Sequence, residues 1–574
     1  MTNSPQNKKH LLTVLVEDYF HVGAFENLIR QRTWSNFEPR FEKNTLKTLD
    51  LLDEHGTKAT FFVLGWIAEQ NPKIVREIAA RGHEVASRGF YHRSLRQLTP
   101  EEFREDVRRT NGVLEDATGQ KIVGYRAAEK LAYEKDGWIL DVLAEENFVY
   151  DASFLPAQKD AKEKRFAHQV HRNGKIIQEF PYSTRNLGVG LMPISGGNYF
   201  RQIPHTLMRH AVHDWQQRYD APFVLYFHVW ELDPEQPRIS AASKYNRIRH
   251  YRKLDKMEWV IKEYLQKYDF GSAAEYLNAD LGLQIADLEI RKPAVGNPSS
   301  QIENTKSQIP NPKPQISIVV PCYNEEPTLA YLANTLRSVE ANLSENYEPE
   351  FIFIDDASKD KTFDKLRELF GAKDNVKIIR HETNCGVAAG IMTGIKAAET
   401  EIVCSMDCDC TYDPHEIETM IPLLTDGVDL VTASPYHKQG GVRNVPEWRL
   451  FLSKGASFLY RRVLNAKLDT YTSCFRVYRR SAVIDLDLRE KGFLGVAELL
   501  GKLDLRGGKI IEHPAVLEVR LFGFSKMKTA RTIFGHLQLL SRLSKERLFG
   551  KPPMIKTSLS NENLKPQIDT DRRG

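Results

Sequence analysis

Cysteine is missing from the first 321 residues of this 574-residue chain; Cys322, Cys385, Cys404, Cys408, Cys410 and Cys474 all lie beyond that point. So uneven a set, with no paired framework, excludes a disulfide-stapled secreted scaffold and reads as reduced thiols of a cytoplasmic protein. Long hydrophobic runs are missing as well. No window reaches the ~18 uninterrupted apolar residues that a membrane span requires. The polar stretch 1–9 leads directly into an apolar strand pattern, which leaves no room for a signal-peptide core. Neither sign of charge dominates: 80 Lys plus Arg against 76 acids give +4. That near-balance excludes the concentrated basic face of a dedicated nucleic-acid binder. No internal repeat is present, and the length calls for two or three domains.

Composition also places the seam. Residues 292–314 are rich in Pro, Ser, Asn, Lys and Gln and lack aliphatic periodicity, the signature of an extended linker. The expected organisation is a first domain over 9–285, a linker over 286–314, a second domain over 315–548 and a polar tail over 549–574. Between 525 and 556 cations predominate, interleaved with Ile533, Phe534, Leu537, Leu540 and Leu543 at helical spacing. Such a helix either lies on an anionic membrane surface or packs its apolar stripe on the second domain.

In the second half, the apolar segments 316–320, 351–354 and 402–406 each run into polar or acidic residues. Ligands of open parallel sheets lie beyond the carboxyl ends of the strands, so acids at several such ends can converge. Asp407 and Asp409 stand two apart. On extended backbone that spacing puts both side chains on one face, where hard oxygen ligands suit Mg²⁺ or Mn²⁺. Cys408 and Cys410 flank Asp409 without a matching Cys/His pair at zinc-finger spacing, so strand-end packing is the simpler reading.

The order of these segments, from Ile316-Ser-Ile-Val-Val-Pro-Cys-Tyr-Asn-Glu-Glu326 through Asp355-Asp356 to Asp407-Cys-Asp409, resembles glycosyltransferase family 2, and within it the dolichol-phosphate-mannose-synthase-like branch. The resemblance implies that Asp407 and Asp409 hold the divalent metal of a nucleotide-sugar donor, with Asp409 catalytic. It implies that Pro321, Tyr323, Asn324, Glu325, Asp355 and Asp356 surround the nucleotide. Asp469-Thr-Tyr-Thr-Ser-Cys-Phe-Arg476 matches the acceptor loop, with Cys474 where the family usually has Gly, and Arg520-Leu-Phe-Gly-Phe-Ser-Lys-Met527 matches a phosphate-binding segment. Ser473, Arg476, Arg520, Ser525 and Lys526 would then face a polyprenyl-phosphate or glycan acceptor. Glu498 sits near the place where the family often carries an acid.

The first half alternates apolar strands, at 11–16, 60–63, 84–86, 122–125 and 223–227, with helical patterns at 43–55, 72–81 and 100–114. Alternation of that kind implies parallel pairing and, at this length, a barrel. Val16-Glu-Asp-Tyr-Phe-His-Val22, Gly82-His-Glu-Val-Ala-Ser87, Gly124-Tyr-Arg126 and Tyr226-Phe-His-Val-Trp-Glu-Leu-Asp-Pro234 resemble the polysaccharide deacetylase family, especially its exopolysaccharide-associated branch. That family removes N-acetyl groups with one divalent metal. By resemblance Asp18 and His92 would be metal ligands, Glu17 the base, His228 the acid, and Arg126 part of the catalytic set.

One departure matters most. Ser87-Arg-Gly-Phe-Tyr-His92 places Arg88 where the family's first histidine ligand belongs. A guanidinium stays protonated and offers no lone pair, and two protein ligands make a poor zinc site. Three readings follow: a barrel kept for binding or assembly, a metal-independent site in which cations hold a sugar phosphate, or a zinc or other divalent site restored by His21 or His83.

The expected fold class is therefore α/β, a distorted (β/α) barrel of the polysaccharide deacetylase type followed by a GT-A Rossmann-like nucleotide-sugar domain. The expected function is transfer of a sugar from a nucleoside-diphosphate sugar to a lipid-phosphate or glycan, by a cytoplasmic protein with peripheral membrane contact. An active bifunctional deacetylase/transferase of exopolysaccharide synthesis and a carbohydrate-binding scaffold are the alternatives.

Overall fold

Seven consecutive buried residues, His10–Val16, form β1, the strand around which the first half is organised. In the computed structural model the described residues are 8–188, 190–281, 313–523 and 529–549. Two units, 1–305 and 306–574, divide the chain. Ser525, Lys526, the linker up to 312 and the tail beyond 549 lie outside the described residues.

In the first unit β1 pairs in parallel with β2 (Thr60–Val63), which continues through β3 (Glu84–Ser87), β4 (Gly124–Tyr125) and β5 (Tyr150–Asp151). The strand after these is the second arm of an antiparallel hairpin, β6 (His168–Arg172) and β7 (Lys175–Glu179), with β7 on β5. On its other side β1 pairs with β8 (Val224–His228). The helices α1 (Phe41–Glu54), α2 (Pro72–Ala80) and α3 (Pro100–Thr118) sit between the strands, as the alternation predicts. Local chemistry fixes α3: Thr99 and Glu102 form a reciprocal capping box, Pro100 opens the first turn, and Gly119 closes the helix at φ 68°. The hairpin, β5 and β7 escape sequence reading because their segments are short or polar, for example His168-Gln-Val-His-Arg172.

The second unit is a seven-stranded mixed sheet. β9 (Gln315–Cys322) lies between β10 (Glu348–Asp355) and β12 (Ile402–Ser405), and β11 (Val376–Arg380) is outside β10. β14 (Arg476–Arg479) runs antiparallel between β12 and β13 (Leu430–Ser434), and β15 (Ile510–Pro514) completes the sheet. The apolar stripe expected at 525–556 divides in two along α4 (Thr529–Phe549). Leu539, Leu540 and Leu543 are buried in the core beside α5 (Phe493–Leu505), whereas Ile533, Phe534 and Leu537 are exposed. The packing reading of this helix thus holds for Leu540 and Leu543, while Ile533, Phe534 and Leu537 stay outside the core.

Three buried histidines of the first unit are held neutral. His10, His21 and His83 each accept a backbone N–H at Nδ1, from Phe223, Asp18 and Ala59 respectively. Burial lowers His10 and His83 to about 4 and His21 to about 3. The folded state therefore binds fewer protons than the unfolded chain, whose histidines titrate near 6.5. Stability contributed by these groups is present above about pH 6.5 and is lost as pH falls toward 4, on the order of 1–3 kcal/mol per histidine. The first unit should melt at a lower temperature at pH 5 than at pH 7.5. Replacing His10 and His83 by Gln, which accepts a hydrogen bond without titrating, should narrow that gap; an unchanged gap would refute the assignment.

Candidate functional site

In the first unit the strand ends deliver Glu17 after β1, Arg88 after β3 and His228 at the end of β8. Glu17 is 1% exposed and both its oxygens are occupied. Arg88 Nε approaches Oε2 at 2.9 Å and His92 Nε2 approaches the same oxygen at 3.1 Å. His228 Nε2 lies 3.1 Å from Oε1. Burial alone would raise the Glu17 pKa, but Arg88, His92 and His228 outweigh it and hold the carboxyl well below its usual range. A second carboxylate backs the cluster: Glu231 Oε2 is 3.1 Å from His228 Nδ1, and Glu231 Oε1 accepts from Arg201 Nε at 2.7 Å. Despite burial, Arg201 and His228 bring Glu231 down to about 2. An alternation of Arg88, Glu17, His228, Glu231 and Arg201 results, fully buried at its two carboxylates. Sequence reading missed Arg201 and Glu231; the Glu three residues beyond His228 was the available signal.

Several of the expected site residues are engaged with other partners in this structure. Asp18 does not join Glu17: its Oδ2 accepts the Arg40 and Phe41 amides at 2.6 and 2.9 Å, its Oδ1 accepts the Tyr19 amide, and so it anchors the start of α1. Burial raises its pKa to about 7, against the pull of those amides. His92 contacts Glu17, and among the described residues no group of three metal-donor side chains includes either Asp18 or His92. His21 and His83, which would restore a third ligand, turn Nδ1 to backbone amides instead. The residues present therefore do not fit a divalent metal, because the cation at Glu17 is Arg88 itself. Arg126, 1% exposed, donates from Nη1 to Thr13 Oγ1 and lies 4.6 Å from the ring centres of Tyr182 and Tyr226.

In the second unit three loops follow β9, β10 and β12, and each contains a non-glycine residue in the left-handed region: Asn324 at φ 52°, Ala357 at φ 57° and Cys410 at φ 52°. Such a residue costs about 1–2 kcal/mol, and strain of this kind gathers where loop geometry serves a site. Asn324 repays part of it by bridging loops, accepting the Lys359 amide at Oδ1 while its own amide donates to Ser358 Oγ. Glu325, beside it, accepts from Thr328 and pairs with Arg520. Arg520 in turn reaches Asp409 Oδ2 at 3.5 Å. Burial, then the neighbouring Asp409 carboxylate, raises Asp407 to about 7, and the Cys474 thiol hydrogen-bonds to it. Among the described residues, Asp407, Asp409 and Glu325 thus gather negative charge beside the Arg520 guanidinium. An all-oxygen pair that repels itself fits a hard divalent ion, which one or two carboxylates hold together with substrate phosphates.

Asp355 is fully buried and pairs with Arg380 at 3.0 Å. Asp356 organises the next loop, taking His381 Nδ1 at 2.8 Å and the Cys385 amide at 2.7 Å on Oδ1, and the Gly386 amide and Asn384 Nδ2 on Oδ2. Gly386 sits at φ 93°, where a Cβ would meet the Lys491 carbonyl at 2.7 Å, so only glycine lets this loop close. Pro321 and Tyr323 lie half-buried at the end of β9 and just past it.

Two residues of the acceptor-side expectation are engaged within the protein. Arg476 is 1% exposed and donates to the carbonyls of Val496 and Tyr471, so it braces the core and presents nothing to an acceptor phosphate. Glu498 is buried, accepts the Glu490 amide at 2.7 Å and pairs with Lys502, which makes it a brace of α5 and not a free base. Ser473 is buried and hydrogen-bonds to the Phe475 amide. Ser525 and Lys526 lie outside the described residues.

Comparison with known proteins follows the same division. Residues 29–136 match the family described as Polysaccharide deacetylase, 152–278 a Domain of unknown function (DUF3473), and 317–487 Glycosyl transferase family 2. A dolichol-phosphate mannosyltransferase of Pyrococcus furiosus is 33% identical over 232 residues, 40% of this chain and 64% of that protein. A polyprenol monophosphomannose synthase of Mycolicibacterium smegmatis is 27% identical over 217 residues, 37% of this chain and 80% of that protein. Among solved structures, a polysaccharide deacetylase-type protein of Mycobacterium smegmatis aligns at 17% identity over 48% of this chain and 91% of that one, with a TM-score of 0.32. The chain thus contains a segment that matches the polysaccharide deacetylase model followed by one that matches the glycosyl transferase family 2 model.

Proposed function

We propose that the second unit transfers a sugar from a nucleoside-diphosphate sugar to a polyprenyl-phosphate or glycan acceptor, and that the first unit is a metal-independent carbohydrate site. The observation that carries the first part is the Asp407–Asp409 pair, set beside Glu325 and Arg520 at the strand ends of a segment matching a glycosyltransferase family. The similarity to enzymes named for dolichol-phosphate and polyprenol acceptors supports the lipid acceptor.

In this reading Asp407 and Asp409 hold Mg²⁺ or Mn²⁺, which supplies neutralisation of the departing diphosphate. Arg520, which in this structure spans Glu325 and Asp409, turns its guanidinium to a phosphate once the carboxylates are otherwise neutralised. The loops carrying Tyr323, Asn324, Asp355 and Asp356 border the nucleotide, and the buried braces Asp356–Gly386 and Arg476–Val496 keep that border fixed. An acceptor oxygen attacks the anomeric carbon as the bond to the diphosphate breaks, with no covalent intermediate on the protein. In the first unit, Glu17 is neutralised by Arg88 in place of a metal, and the exposed edges of His92 and His228 are what a sugar would meet.

Access to a lipid acceptor has structural support. A helix absent from the sequence reading, α6 (Glu447–Val463, following β13), packs beside α4. Trp448, Phe451 and Phe458 on α6 are 50%, 78% and 56% exposed, and Ile533, Phe534 and Leu537 on α4 are exposed as well. Arg449 and Arg462 lie over Trp448 and Phe458, and Lys454 is on the same helix. Exposed aromatics ringed by cations fit an anionic lipid surface.

Two outcomes are expected. Incubated with a panel of nucleotide sugars, polyprenyl phosphate and Mn²⁺, the protein should yield an organic-extractable sugar lipid by mass spectrometry. Chelator or Asp409→Asn should cut that yield at least 100-fold, and transfer that persists in the variant would refute the metal assignment. In vesicle co-sedimentation, binding should need anionic lipid, weaken with salt, and drop several-fold on Phe451→Glu with Phe534→Glu; equal binding to neutral vesicles would remove the electrostatic part.

A further inference from the structure

Among the described residues, one group brings three metal-donor side chains together: Asp356, His381 and Cys385, whose ligand atoms lie within 4.8 Å of one another. They belong to the loops after β10 and β11 and to the residues just before the helix Val387–Ala397. We propose that these residues form a zinc site, separate from the Asp407–Asp409 pair and of a different chemical kind. The donor set is one carboxylate oxygen, one imidazole nitrogen and one thiolate, the mixture that selects zinc over magnesium or manganese.

The geometry is close to what zinc requires. His381 Nδ1 and Asp356 Oδ1 are 2.8 Å apart; around a tetrahedral ion with Zn–N and Zn–O near 2.0–2.2 Å they would part to about 3.3 Å. Cys385 Sγ, already within 4.8 Å of both, would have to come within about 3.5 Å of them. In this structure the thiol donates to the Thr383 carbonyl at 3.3 Å. His381 also has the partner that a zinc-bound histidine commonly has on its second nitrogen, since Thr393 Oγ1 lies 3.0 Å from Nε2. Asp356 is buried while His381 and Cys385 are half-exposed, so the ion has both an anchored carboxylate and a route from solvent. With three protein ligands a fourth position stays open.

Zinc entry expels the Cys385 thiol proton and any proton held between His381 and Asp356, so affinity rises with pH. It also pulls on the carboxylate that holds the Gly386 and Asn384 loop. Zinc here would therefore exclude the donor nucleotide, a consequence that rests on the proposed place of Asp356 at the nucleotide. The site itself does not depend on that reading.

The test is cobalt titration of the full-length protein in the absence of nucleotide sugar. A near-ultraviolet thiolate-to-cobalt charge-transfer band should grow to one equivalent and be bleached by zinc. Cys385→Ser, whose half-exposed position keeps the fold intact by thermal melting, should lose the band and weaken zinc binding at least 10-fold in chelator competition. Cys410→Ser, beside the other carboxylates, should keep both. No band in the wild type, or a band that survives in Cys385→Ser, overturns the site. Because no donor is present, neither result bears on sugar transfer, which the organic-extractable product assays separately.

Discussion

Carboxylates at the carboxyl ends of parallel strands have to be matched by positive charge, and the two halves of this protein meet that demand in opposite ways. Glu17 is surrounded by Arg88, His92 and His228, with the Arg88 guanidinium 2.9 Å away. Its counter-ion is covalently part of the chain and stays charged at any physiological pH. Asp407 and Asp409 have Arg520 at one edge and each other, and Asp407 is pushed up to about 7 by burial and its neighbour. One carboxylate is neutralised from within the chain, and the other pair is proposed to take a dissociable cation.

That contrast explains why similar strand-end chemistry leads to different functional readings. A buried carboxylate closed by arginine leaves no room beside Glu17 for a metal, and in the proposed reading the first unit works through shape and hydrogen bonding, with His228 held between Glu17 and Glu231 and His92 against Glu17. In the proposed reading, the incomplete charge balance of the second unit would be relieved when a divalent ion and a diphosphate arrive together. The strained Asn324, Ala357 and Cys410 backbones belong to the same unit, where the loops must hold their positions before substrate is present.

Much of this was legible in the residues. The strands 11–16 and 60–63 appear as read, because continuous apolar runs between polar turns leave few alternatives, and Thr99-Pro-Glu-Glu102 sets a helix start that needs no tertiary help. Arg88 was readable as a substitution, and the structure adds which group it neutralises. What stayed hidden depended on burial. Asp18 and Arg476 hydrogen-bond to backbone groups, and Glu498 is shared between the Glu490 amide and Lys502, which no local spacing reveals. The exposed aromatic face of α6 was equally invisible, since Trp448, Phe451 and Phe458 at helical spacing would ordinarily mark a core stripe. The zinc-type cluster joins residues 356, 381 and 385 across two loops, a juxtaposition set by sheet order alone.

The central claim is that metal chemistry is confined to the second unit, and counting bound Mn²⁺ tests it most directly. Electron paramagnetic resonance of the full-length protein with a nucleoside diphosphate should show one tightly bound Mn²⁺ per chain, absent in Asp409→Asn and unchanged in His92→Ala. A second tight Mn²⁺ that disappears in His92→Ala, or binding that survives in Asp409→Asn, would contradict the account.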